Sequence, residues 1–138
     1  VREAIGVQVG DTHAPRAIGP ITQTDIVRFA GAGGDFNPLH HDPEFVKAAG
    51  FPGVITMGQM PAGMLAGWVS DWFGVEHLLE YEVRFLSPVF LGDVLTLSGV
   101  VTGLDEADGQ VVALVELRVT RGKDAVIRGT AKAVVTSR

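Results

Sequence analysis

From Gly33 to Phe45 the chain reads GGDFNPLHHDPEF, which places a carboxylate, an amide, a proline and two imidazoles almost side by side. Asp35 and His40 are five apart, a spacing that on a continuous helix would set them about 140° from one another. Asn37 and Pro38 lie between them, and both favour turns, so the chain can bend and bring carboxylate and imidazole toward one small volume that could hold a water. A carboxylate accepts hydrogen bonds, and imidazole donates or accepts near neutral pH. Together they can orient a water, remove its proton and return a proton elsewhere. The same residues have a plainer use, with Asp35 capping a turn and His40 a satisfied, partly buried histidine, and spacing alone favours that use. His41 is expected to point elsewhere, to solvent or to the cap of a following helix.

Other chemistries find less support. Cysteine is absent, which excludes thiol catalysis, thiolate metal sites and disulfides. No histidine lies at i+4 from another, and His13 and His77 lack ligand-like companions, so no metal is expected, and no cofactor. There is no Gly-x-Ser-x-Gly elbow and no phosphate-cradling Walker loop. The net charge of −5 argues against a nucleic-acid partner. It is unevenly spread: residues 1–109 carry 5 basic and 14 acidic side chains, a balance of −9, whereas residues 110–138 carry 6 and 2, a balance of +4.

The elements that must position the quoted stretch can be read locally. Thr22 can cap a helix with Asp25 three residues on, Ile21 and Ile26 fit a hydrophobic staple, and the glycines from Gly31 to Gly34 are expected to stop it. Asp42 as N-cap, Pro43 and Glu44 in the first turn and Gly50 past the end predict a short second helix. A third, the longest and most apolar, is predicted from near Met60 to Gly74. Residues 48–70 carry no charge, but their glycines and prolines favour a buried helix entered through a loop over a membrane span. The period then changes to two: Tyr81, Val83 and Phe85 alternate with charged residues, and strands follow near 93–103, 110–121 and 125–136. The stretch VQVGD and residues 16–18 are candidates for short strands. With 138 residues, 46% of them hydrophobic, one domain over 1–138 is expected, an α+β fold in which a curved antiparallel sheet wraps the central helix. Gly63, Ala66 and Gly67 recur along that helix and could admit a close neighbour, or belong to ordinary core packing.

The stretch FAGAGGDFNPLHHD resembles the signature of the MaoC-like, (R)-specific enoyl-CoA hydratases of the hotdog superfamily, with Gly34, Asp35, Asn37, Pro38, Leu39 and His40 matching in order and Ala48 or Ala49 supplying a later small residue. The resemblance covers nearly the whole chain, including the EYEVRFLSPVFLGD segment. It implies a hotdog fold, usually dimeric, and reversible syn addition of water to a trans-2-enoyl thioester of CoA or acyl-carrier protein. Asp35 would then be the base and His40 its proton-transferring partner, with Asn37 beside the substrate. Water addition at C3 drives electrons toward the thioester oxygen, and the backbone N–H of Gly58, just before the third helix, is the candidate donor to it. Many relatives have His-Gly here, where this chain has Met57-Gly58. Met57, Met60 and Met64 are candidates for an acyl pocket, although a methionine stripe at helical spacing is more often core.

The cationic C-terminal part makes Arg121 and Lys123 candidates for holding the phosphates of CoA or an acidic carrier protein, with a solvated strand face as the alternative. Two further readings stay open. One is a catalytic or partner subunit of a heteromeric dehydratase of fatty-acid or steroid side-chain type; the other is a hotdog thioesterase. The apolar last strands, with Val111, Val112, Val126, Ile127, Val134 and Val135, look too β-branched to end at a bare edge, so a homodimer or a heterodimer with a related subunit is expected. No secretory or transit segment is visible in VREAIGVQVGD, and a cytoplasmic setting is expected.

Overall fold

The computed structural model describes residues 1–138. Helix α1, Gln23–Gly33, begins with a complete capping box: the Thr22 hydroxyl accepts from Asp25 N at 3.1 Å while the Asp25 carboxylate accepts from Thr22 N at 2.9 Å. These hydrogen bonds, the Thr22 backbone N–H first, hold the Asp25 carboxyl below its usual range. The glycines end the helix later than expected. Gly31 and Gly33 remain helical, and only Gly34, with φ 70°, takes the left-handed conformation that turns the chain out. A single 3₁₀ turn, Pro38–His40, follows, then helix α2, Pro43–Ala48, whose first N–H groups are capped by Asp42.

Helix α3, Gln59–Phe73, is the centre of the molecule. Leu65, Trp68, Val69 and Phe73 recur at helical spacing and are fully buried, so one face of α3 anchors the core. Burying each such side chain contributes about 1.5–3 kcal/mol. Close approach of helix and sheet is not made by the helix glycines, because a Cβ on Gly63 or Gly67 would meet nothing. It is made by Gly99 of the sheet, where a Cβ would lie 2.9 Å from Leu117 and 3.2 Å from the Trp68 ring. No helix is long and apolar enough to cross a membrane.

The sheet contains β1, Gly6–Val7; β2, Arg16–Ile18; β3, Leu78–Phe85; β4, Leu95–Ala107; β5, Gln110–Arg121; and β6, Asp124–Ser137. Its order is β1-β6-β5-β4-β2, and β3 pairs antiparallel with β6 on the side where β1 also joins it. The inner face packs on α3; the outer face carries Glu80, Glu82, Arg84, Glu116, Arg118, Arg128 and Lys132. As expected, the last two strands do not end at a bare edge, but their cover comes from this chain and not from a partner: β5 lies between β4 and β6, and β6 between β5 and β3. Their β-branched residues are explained by interior strands, and the long uncovered edge is β3. The cationic excess after residue 110 is mostly cancelled by nearby acids, through the pairs Arg118–Glu116, Arg121–Asp93, Lys132–Glu80 and Arg138–Asp11.

Candidate active site

The loop between α1 and α2 folds Asp35 and His40 together. Asn37 is its pivot: its backbone N–H donates to Asp35 Oδ1 at 3.2 Å, and its own Oδ1 accepts from Leu39 N at 3.0 Å, capping the 3₁₀ turn. Asp35 therefore does cap a turn, with one oxygen. The other, Oδ2, lies 3.3 Å from His40 Nε2. The Asn37 amide oxygen holds the loop by accepting from Leu39 N.

His40 is buried, at 9% side-chain exposure, while the Asp35 side chain is 45% exposed. One partner is wedged in place and the other faces the solvent side. The imidazole is fixed from behind by Nδ1, 2.8 Å from the Ile55 carbonyl. A carbonyl only accepts, so Nδ1 carries a proton and Nε2 is the nitrogen that gains or loses one. The Gln23 side chain donates to the His40 carbonyl at 2.9 Å, tying the turn to α1. His41 is exposed, as expected.

Residues 54–56 run between two neighbours. On one side Ile55 N donates to Leu39 O and Ile55 O receives His40 Nδ1–H; on the other Thr56 N donates to Val89 O at 2.8 Å and Leu91 N donates to Val54 O at 3.2 Å. Past this segment Gly58 opens α3. Its N–H makes no hydrogen bond within the chain, and a Cβ on it would lie 2.9 Å from the Phe85 ring, so only glycine fits beneath that ring without displacing it. Gly58, Ile55, Thr56, Pro61, Phe85 and Ser87 line a cleft of about 430 Å³. Neither Asp35 nor His40 lines it; Ile55 is the link, presenting its carbonyl to His40 and its side to the cleft. A larger depression, of about 930 Å³, lies on the outer sheet face around Glu82, Arg128 and Lys132 and holds none of these groups.

The remaining expected contacts fall elsewhere. Met57 and Met60 are buried in the core, and Met64 packs half-buried against it, so the stripe is core and does not line the cleft. Arg121 is engaged within the chain: Nη1 donates to Asp93 Oδ2 at 2.7 Å and to Pro88 O at 2.9 Å, and the guanidinium lies 5.8 Å from the centre of the Phe90 ring. Lys123 is exposed in the turn between β5 and β6. No group of three or more His, Asp or Glu side chains is placed to hold a metal ion. The Ile55 carbonyl and Gln23 are the contributors that sequence reading missed; a backbone acceptor 15 residues from its histidine leaves no mark in residue type.

Comparison with known proteins bears on the family and the fold. The MaoC-like domain model matches residues 6–123. The chain is 31% identical over 109 residues to the (R)-specific enoyl-CoA hydratase of Aeromonas caviae, covering 78% of this chain and 81% of that one. It is 39% identical over 77 residues to the 3-hydroxyacyl-thioester dehydratase X of Mycobacterium tuberculosis, covering 56% of this chain but only 27% of the length of that relative. The solved structure of an (R)-hydratase from A. caviae involved in PHA biosynthesis superposes with a TM-score of 0.80 at 28% identity, over 94% of this chain and 97% of that one. With the Gly-Asp-Phe-Asn-Pro-Leu-His loop, the curved sheet around α3 and this coverage, the chain belongs to the MaoC-like domain family and has the hotdog fold.

Proposed function

We propose that this protein is an (R)-specific enoyl-thioester hydratase, working reversibly as a 3-hydroxyacyl-thioester dehydratase on CoA or acyl-carrier-protein substrates. The observation that carries the reading is the approach of Asp35 Oδ2 to His40 Nε2 at 3.3 Å, with Nδ1 engaged by the Ile55 carbonyl. In the hydration direction Asp35 takes a proton from a bound water, and the hydroxyl bonds to C3. The C2=C3 electrons move toward the thioester oxygen, and protonated His40 delivers its Nε2 proton to C2. Passage of a proton from Asp35 to His40 across their short gap then restores the starting state. Because both groups act from one side, the addition is syn. The free Gly58 N–H stabilises the charge developing on the thioester oxygen, a contribution worth roughly 10²- to 10³-fold where such donors have been removed.

The working unit is a dimer, homomeric or with a related hotdog subunit. Support comes from β3, which offers an unpaired edge and ends in exposed Phe85, followed by exposed Leu86, and from Phe36, an exposed aromatic directly after Asp35. The test is loss of the conjugated enoyl-thioester absorbance with the purified chain, alone and with a related subunit, alongside sedimentation. Free-thiol release in place of hydration would make it a thioesterase.

A further inference from the structure

Arg121 was expected to meet substrate phosphates, and the structure gives it different work. The guanidinium is 29% exposed and its carboxylate partner Asp93 only 17%, so the pair is largely withdrawn from water. Asp93 Oδ2 accepts from both Arg121 and Phe90 N, Arg121 also holds the Pro88 carbonyl, and its Cζ lies over the Phe90 ring, 5.8 Å from the ring centre. Three points of the segment 88–93 are thereby tied to the end of β5. That segment is in turn the outer neighbour of residues 54–56, through Val89 O with Thr56 N, Leu91 N with Val54 O, and the bridge between Ile55 and Phe90. On their far side residues 54–56 hold Leu39 O and the His40 ring. The ladder is continuous: Arg121, segment 88–93, segment 54–56, His40.

We infer that Arg121 is a positioning residue, which sets the place of the Ile55 carbonyl and hence the tautomer and orientation of His40, and also sets the Ser87–Val89 wall of the cleft. The inference rests on the reading of His40 as a proton-transfer group. One nitrogen, Arg121 Nη1, makes both the Asp93 and the Pro88 bonds; a lysine side chain ends one bond short of that position and has no guanidinium to set against Phe90, so it keeps the charge without holding all three contacts. A displacement of the order of 1 Å at the Ile55 carbonyl is enough to cost about 10²-fold in rate.

The experiment uses the full chain with Arg121→Lys and Arg121→Gln, and Arg118→Gln as a control that removes an exposed charge from the same strand. Long-range nitrogen–proton spectra report which ring nitrogen of each of the four histidines carries the proton. In the parent protein His40 is expected as the Nδ1-protonated form when neutral. In both Arg121 variants it is expected to become a mixture of tautomers while His13, His41 and His77 stay as they were, with kcat for enoyl-thioester hydration down roughly 10- to 100-fold and the control unchanged. A folded Arg121→Lys protein in which His40 keeps its single tautomer would overturn the inference, whatever its kcat. The spectra decide the positioning claim by themselves, so a parent protein without hydratase activity would refute the functional reading and leave the Arg121 test intact.

Discussion

Replacing Asp35 by asparagine separates chemistry from architecture at the site. Asparagine keeps an oxygen for the Asn37 N–H, now 3.2 Å from Asp35 Oδ1, and turns an amide N–H toward His40 Nε2, now 3.3 Å from Oδ2. Neither loop contact is lost. The carboxylate is about half exposed, so its ion pair with His40 is screened and worth under about 1 kcal/mol, a shift of a few degrees at most in the melting temperature. An amide cannot take a proton from water, however, and loss of general base catalysis is worth about 10²- to 10⁴-fold, or roughly 3–5 kcal/mol of barrier. In an assay following the enoyl-thioester absorbance, kcat should fall by that factor with KM nearly unchanged, as expected when only a transition-state interaction is removed. His41→Ala, one position beyond His40 and exposed, should leave both constants near parental values. A folded Asp35→Asn protein keeping more than about a tenth of kcat, or a larger loss from His41→Ala, would refute the assignment.

Gly58→Ala places a methyl group 2.9 Å from the Phe85 ring, which is half-exposed and can swing; the fold should persist while kcat/KM falls about tenfold or more as the ring enters the cleft, and an unchanged kcat/KM would remove Gly58 from the site. Gly129→Ala sets its Cβ 2.6 Å from the Glu82 carbonyl, so β3 must part from β6 at a cost of about 1–3 kcal/mol by denaturant titration; a parental midpoint would contradict that strand register. Burial pushes the Tyr81 phenol up to about 12, and its hydroxyl donates to Ala62 O at 2.6 Å. The unfolded chain ionises near 10, before the folded one, so this contribution is whole below that pH and is lost as pH rises through the folded value. Tyr81→Phe should flatten the alkaline fall in stability, and an identical slope between pH 8 and 11.5 would show that another group governs it.

What could be read in advance was local. Thr22, Asp42 and Pro43 mark helix starts because capping acts within three residues, and the alternation around Tyr81 marks a strand because its two faces meet different surroundings. The bend joining Asp35 to His40 was legible because Asn37 and Pro38 impose it. Where reading stopped, the cause was a partner distant in sequence. β-branched richness in β5 and β6 reports that a strand is covered and does not report whether a partner or the same chain covers it; here β4 and β3 do. Arg121 reads as a free cation until the fold brings Asp93, 28 residues away, against it. Met60 carries no sign of which side of α3 faces the core, Met57 none of where the loop before α3 is buried, and the Ile55 carbonyl has no side-chain signature at all.

The most direct measurement combines the purified chain with a trans-2-enoyl-CoA and resolves the product by chiral chromatography while monitoring free thiol. Loss of the enoyl absorbance and accumulation of the (R)-3-hydroxyacyl thioester without thiol release are expected, and in Asp35→Asn both slow by about 10²- to 10⁴-fold, still without thiol release. An (S) product, or thiol release with the double bond intact, would contradict a hydratase built on Asp35 and His40.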